Sequence, residues 1–151
     1  MNIIRISIIA VLAVLTFWQC PCMAQCNEFT ENEVLPLLSD GNDNFIISGK
    51  YNSVKLNEGD DMLIFRSLTK GITYRFIAKA DDNMPKDVYF VVETWQGDTI
   101  FDSSKSGFPP YFDYDNRKAN QRVKIYVKVP VTGNKPAANG CVTVVTGIKS
   151  E

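Results

Sequence analysis

Three sets of side chains in this chain have types and spacing that could do chemistry: oxygen-rich turns, clustered aromatics, and cysteines. Asp and Asn residues gather at 40–44, 81–83 and 113–116. Calcium takes oxygen ligands from loops of this composition. Asp113 and Asp115 lie two apart and would project to one side of a strand, with Asn116 beside them. They are the candidate calcium ligands, although no stretch has the EF-hand pattern with its closing Glu. Asp and Asn also dominate turns through local hydrogen bonds, which is the plainer role for all three stretches.

The sequence has no histidine. A Ser-His-Asp triad, a Cys-His pair and the usual His-containing zinc site are therefore excluded. The glycines at 41, 49, 59, 71 and 97 each stand alone at turns, so no glycine-rich phosphate loop forms. Carboxylate-pair chemistry of the glycoside-hydrolase kind remains, and a small hydrolase built on it is one reading. The chain offers little room for the necessary cleft. The leading expectation is a protein that is not an enzyme and uses no cofactor beyond the calcium candidate.

Aromatic side chains could instead bind. Phe108, Tyr111, Phe112 and Tyr114 crowd one short loop and the strand after it. Trp95 falls out of phase with Val88, Phe90 and Val92, on the face shared with Tyr89 and Glu93. Exposed rings of this kind could stack a sugar, whereas in a sandwich they more often fill the core or cap its ends. Arg122, Lys124, Tyr126 and Lys128 alternate with Val123, Ile125, Val127 and Val129, placing a basic row on the wet face of a strand. That row could meet an acidic glycan or protein, or serve only to solvate the strand. Ligand-contact candidates are thus Trp95, Tyr111, Phe112, Tyr114, Arg122, Lys124 and Tyr126.

These residues need strands to position them, and the chain supplies little else. Residues 1–24 read as a cleavable secretory signal: Arg5 is the only early charge, 6–18 is an apolar run, and Cys22-Met23-Ala24 ends with small residues where the peptidase reads. The apolar stretch is about 13 residues, short of the roughly 20 that a membrane-spanning helix needs, and Pro21 breaks it. Lipidation is disfavoured because Gln19, Pro21 and Gln25 precede the cysteines at 20, 22 and 26. Cleavage after Ala24 leaves a single domain over 25–151 with no transmembrane segment. Losing Arg5 takes the 16 basic residues to 15 against 17 acidic ones, too weak a field to gather nucleic acid. It also discards Cys20 and Cys22. Cys26 and Cys141 remain, and an isolated pair in an oxidising compartment usually bonds, the alternative being two free thiols.

Within 25–151, Thr30-Glu31-Asn32-Glu33 fits a capping box for a short helix, limited by Pro36. Strand-type patterns then run over 45–48, 51–56, 62–68, 73–80, 88–95, 99–103, 111–114, 122–129 and 141–148, divided by turn residues. The expectation is an all-β fold: an antiparallel β-sandwich of about eight strands with a short N-terminal helix after the signal. Lysines on the wet face of 122–128 and prolines at 109, 110 and 130 would blunt its edges.

The spacing of Lys50-Tyr51-Asn52-Ser53, Leu56-x-Glu58-Gly59-Asp60, Lys70-Gly71-Ile72-Thr73-Tyr74-Arg75, Ile100-Phe101-Asp102 and Val127-x-Val129-Pro130, ending in Gly140-Cys141-Val142, resembles small exported β-sandwich proteins of Bacteroidota-type bacteria without assigned activity. The resemblance implies a periplasmic or secreted sandwich whose N-terminal Cys pairs with the late Gly-Cys-Val. It transfers no catalytic residue. The rhythm is also similar, at fold level, to sandwich domains appended to secreted peptidases. The functional expectation is a non-catalytic binding or accessory module acting in the cell envelope through contact with an envelope or secreted protein. A carbohydrate-binding module is the alternative.

Overall fold

The computed structural model describes residues 24–41, 43–133 and 136–150, with side chains from Cys26 onward. The predicted signal segment thus lies, save Ala24, outside the described residues. Among the described residues, nine strands form two antiparallel sheets: β1 (Phe45–Ile47), β2 (Asn52–Asn57), β3 (Asp61–Leu68), β4 (Thr73–Ala80), β5 (Tyr89–Thr94), β6 (Thr99–Asp102), β7 (Tyr111–Asp115), β8 (Gln121–Lys128) and β9 (Asn139–Lys149). Sheet A runs β1-β9-β4-β7, with β2 also pairing β9. Sheet B runs β3-β8-β5-β6. The expected all-β sandwich is present, and its strands follow the predicted segments to within a residue or two. No helix among the described residues is long and apolar enough to cross a membrane.

Side chains alternate along each strand, so every sheet has two faces to satisfy. Between the sheets, Phe76, Phe90, Val92, Val123, Ile125, Val127, Val142 and Val144 are fully buried. On the outer face of sheet A a second cluster gathers Phe29, Val34, Leu38, Phe45, Ile77 and Val145. Strands β4 and β9 are therefore covered on both faces, while β8 alternates between buried and accessible residues.

The cover over sheet A is helical, and it differs from the short helix anticipated. It begins as an α-helix, α1 (Ala24–Phe29), widens to a π-turn over Thr30–Val34, and tightens to a 3-10 segment over Leu35–Ser39. Thr30 is not an N-cap. The residues before it are already helical, so its hydroxyl donates back to the Cys26 carbonyl at 2.7 Å. The hydroxyl also meets Thr143 Oγ1 at 2.9 Å, and Ser53 Oγ reaches the same Thr143 oxygen at 2.7 Å. Pro36 cannot donate in the helical ladder, and the backbone changes helix type where it enters.

A disulfide and a buried arginine, besides the Thr30–Thr143 contact, hold this layer down. Cys26 and Cys141 form the disulfide, joining α1 to β9. Arg75 on β4 is 3% exposed and uses its whole guanidinium. Its Nε and Nη2 donate to the two Asp113 oxygens at 2.7 and 2.8 Å. Its Nη1 donates to the Leu37 and Asp40 carbonyls, both at 2.8 Å. The Phe45 and Tyr111 rings lie 4.3 and 4.1 Å from its central carbon. The Asp113 hydrogen bonds raise the Arg75 pKa above its already high ordinary value, so the charge is permanent. Gly147 matters for the same close approach, because a Cβ there would come 2.5 Å from Leu38.

Candidate functional site

Among the described residues, the outer face of sheet B has no such cover. Pairing across β3, β8 and β5 arranges its outward residues in rungs: Asp61–Lys128–Tyr89, Leu63–Tyr126–Val91, and Phe65–Lys124–Glu93. A fourth rung joins Ser67, Arg122 and Trp95, whose backbone N–H donates to the Arg122 carbonyl at 3.0 Å. Alternation places all of these on the side away from the inter-sheet core.

The face is unusually apolar for one left to solvent. Leu63 is 50% exposed, Phe65 44% and Trp95 54%. Phe65 lies on β3 and Trp95 just past the end of β5, on opposite sides of β8, yet their rings meet over it with centroids 5.6 Å apart. The Arg122 guanidinium sits 5.3 Å from the Trp95 ring, a cation–π contact. Lys124 pairs with Glu93 at 3.2 Å, neutralising the middle of the face. At its far end, partial desolvation, helped by the Asp102 and Glu93 charges, raises the Tyr89 pKa, so its phenol is a neutral donor at physiological pH. The result is an aromatic and aliphatic stripe on which Arg122 and, at the far end, Lys128 have no carboxylate partner among the described residues.

The edge beside this face is guarded. Arg66, on the inward side of β3, sends its guanidinium across to the Lys50 carbonyl at 3.2 Å and Asn52 Oδ1 at 2.6 Å. An inward-pointing charge on an edge strand discourages strand addition. The lysines of 122–128 do not serve that purpose as anticipated, because β8 is an interior strand of sheet B. Pro109 and Pro110 do precede an edge strand, β7.

The structure brings together Trp95, Arg122, Lys124 and Tyr126 from the sequence-derived candidates, and it separates the rest. Phe112 faces the core, stacked on Phe101 at 4.3 Å. Tyr114 also packs against the core, its hydroxyl accepting from Gln121 Nε2 at 3.0 Å. Tyr111 points the other way, against Arg75. Phe108 is partly exposed with a φ of 53°, in a turn held by its N–H to the Ser103 carbonyl at 2.9 Å. The aromatics of 108–114 therefore do not form one platform with Trp95.

Of the calcium candidates, Asp113 has both oxygens on Arg75, and Asp115 pairs with Arg117. Asn116 is fully buried, donating to the Thr69 and Ala119 carbonyls at 3.0 and 2.9 Å. Among the described residues, no group of three or more His, Cys, Asp or Glu could hold a metal ion. Four carboxylates do border one groove of about 310 Å³ between the helical layer and the β4–β5 loop: Glu28, Glu33, Asp81 and Asp82. Glu33 is paired with Lys79 at 2.8 Å, and Asp81 accepts from the Cys141 and Asn83 N–H groups at 2.7 and 3.0 Å.

Leu63 and Phe65 were not singled out from the sequence. Their signal was present: Met62-Leu63-Ile64-Phe65 is apolar without alternation, so a strand there must place apolar side chains on both faces.

No family model matches the chain, and no curated protein sequence matches it. Neither the Bacteroidota resemblance nor the peptidase-domain likeness thus gains a family match. Among solved structures, the chain is similar to Aeromonas hydrophila PliG, a periplasmic lysozyme inhibitor of g-type lysozyme. The likeness has 10% sequence identity, covers 66% of this chain and 84% of that one, and has a TM-score of 0.49. At that level it is a likeness of β-rich architecture and says nothing of what this chain binds.

Proposed function

We propose that this protein is a non-catalytic, exported binding module that docks a protein partner in the cell envelope through the outer face of sheet B. The observation that carries the reading is the meeting of Phe65 and Trp95 in solvent, continued by Leu63 and Tyr126. Aromatic residues and Arg are the side chains most enriched where protein interfaces concentrate their binding energy. Contiguous apolar surface is also costly to leave in water unless something covers it in use. The rungs of the face are locked by sheet hydrogen bonds, so little backbone ordering is required on docking. The absence of histidine and the commitment of Glu33 and Asp81 to structural contacts support a non-catalytic role. The Cys26–Cys141 bridge fits an oxidising compartment.

The test is site-specific photo-crosslinking in the envelope of the source cell, with the reactive group placed at Leu63, at Phe65, and at Val54 on the β2 edge as control. Adducts to one protein from 63 and 65, absent from 54 and abolished by Trp95→Glu, are expected. Equal labelling at all three positions, or none, would remove the reading.

A further inference from the structure

Beyond the apolar stripe, Trp95 also forms one wall of a groove at the end of sheet B. The groove has a volume of about 520 Å³ and is bordered by Thr69, Trp95, Gln96, Asn120, Gln121 and Arg122. Three separate chain segments build it: the β3–β4 turn, the β5–β6 hairpin, and the β7–β8 loop with the start of β8. They are tied together, since the Lys70 N–H donates to Asn120 Oδ1 at 2.8 Å and Asn116 donates to the Thr69 carbonyl. The cavity falls in the usual size range for small-molecule sites.

We propose that this groove binds an acidic saccharide, a pyranose bearing a carboxylate, with Trp95 as the stacking wall and Arg122 as the anion contact. Three observations converge on that class. First, more than half of the Trp95 surface is open, and an indole suits the apolar C–H face of a sugar ring. Second, the polar lining is neutral amide and hydroxyl, with unspent capacity of both kinds. Asn120 commits its Oδ1 to Lys70 and keeps its NH2. Gln121 commits its NH2 to Tyr114 and Asn116 and keeps its carbonyl. Vicinal hydroxyls both donate and accept, which such a set can match. Third, the groove wall contains Arg122 and no carboxylate. The turns that supply this lining carry Lys70, Arg117 and Lys118 against Asp98 and Asp115, with Arg117 and Asp115 paired to each other, a balance that favours an anion.

This site is separate from the protein-docking reading except for Trp95 and Arg122. Its failure would leave that reading standing, because Leu63 and Phe65 do not border the groove. The experiment is calorimetric titration of the protein with trigalacturonate and with its methyl ester, which keeps the rings and removes the charge. Wild type should bind the free acid about tenfold more tightly than the ester, the usual order of effect for a charge-assisted contact. Arg122→Gln should lower affinity for the acid and abolish that preference while leaving affinity for the ester unchanged. Trp95→Ala should weaken both ligands together. Arg122 is exposed on the outer face, so its variant should unfold at the wild-type temperature. No binding of trigalacturonate at millimolar concentration, or a preference for the acid that survives Arg122→Gln, would overturn the proposal. A hexaglutamate peptide that binds as tightly as the sugar, with the same dependence on Arg122 and Trp95, would overturn the saccharide assignment in favour of acidic polypeptide.

Discussion

Both sheets carry large apolar side chains on their outer faces, and the two faces are treated in opposite ways. On sheet A, Ile77 and Val145 lie under Phe29, Val34 and Leu38, with Cys26–Cys141 and Arg75 holding that cover in place. On sheet B, Leu63, Phe65 and Trp95 stand half in solvent, with the Phe65 and Trp95 rings against each other and Arg122 over the indole. The described residues include the means to cover an apolar sheet face, and among them it is used once. What sheet A's face contributes is stability. What sheet B's face offers is surface, and the buried arginine of one face and the stacked, exposed arginine of the other mark the same division.

The comparison predicts a gradient of effects. Replacing both Cys26 and Cys141 by Ser should cost the most. The bridge spans 115 residues of sequence, and closing a loop of that size is worth about 4–5 kcal/mol in the chain-entropy model. Urea unfolding of the double variant would measure it, and an unchanged midpoint would show that the helical layer holds without its staple.

Arg75→Ala comes next. It strands the Leu37 and Asp40 carbonyls and the Asp113 carboxylate, for a loss of about 3 kcal/mol, typical of breaking one partner of a buried ion pair. Arg75→Lys should recover only part of this, since an ammonium cannot reproduce the fork on Asp113.

The cleanest contrast pairs two leucines. Leu38→Ala, in the buried underside of the cover on sheet A, should cost about 2–3 kcal/mol as a cavity-forming change. Leu63→Ala, on the open face, should stay within about 0.5 kcal/mol while weakening partner capture. Equal costs at the two positions would erase the distinction between the faces.

The smallest effect is in pH. Hydrogen bonds from the Asn57 backbone and side chain hold Asp60 below the ordinary carboxylate range, and those from Ser104 and Thr132 do the same for Asp102 and Glu58. A carboxyl whose pKa is lowered on folding adds stability that is complete above its unfolded pKa. That stability is lost as pH falls through the lowered folded value. All three groups sit at partly accessible surface positions, so the denaturation midpoint should fall modestly between pH 7 and about 3, below the usual Asp and Glu values. A midpoint that rises on acidification would contradict the assignment.

Parts of this were legible in the residues alone. The alternation from Arg122 to Val129 set both the strand and its wet face, and the phase of Trp95 against Phe90 and Val92 placed it beside Glu93, where it lies. The β-branched run of 141–148 read correctly as a strand. Other parts were not. Thr30 carries every local mark of an N-cap, yet helix already precedes it, and its hydroxyl is spent on Cys26, Ser53 and Thr143. Tyr111, Phe112 and Tyr114 read as a cluster because they are close in sequence, but neighbours along a strand face opposite sides. Phe65 and Trp95 are 30 positions apart and meet only because β8 brings β3 and β5 to its two flanks.

Local chemistry, periodicity and composition were therefore enough to determine the strands, the inward and outward residues of β5 and β8, and the exclusion of histidine-based catalysis. Each depends on neighbours within a few residues, or on what the chain lacks. Which outer face is covered, which arginine is buried, and which aromatics share a surface were decided only by tertiary structure. Those outcomes depend on strand order and on where the helical layer settles, and pairings between distant segments do not leave a periodic trace in the sequence.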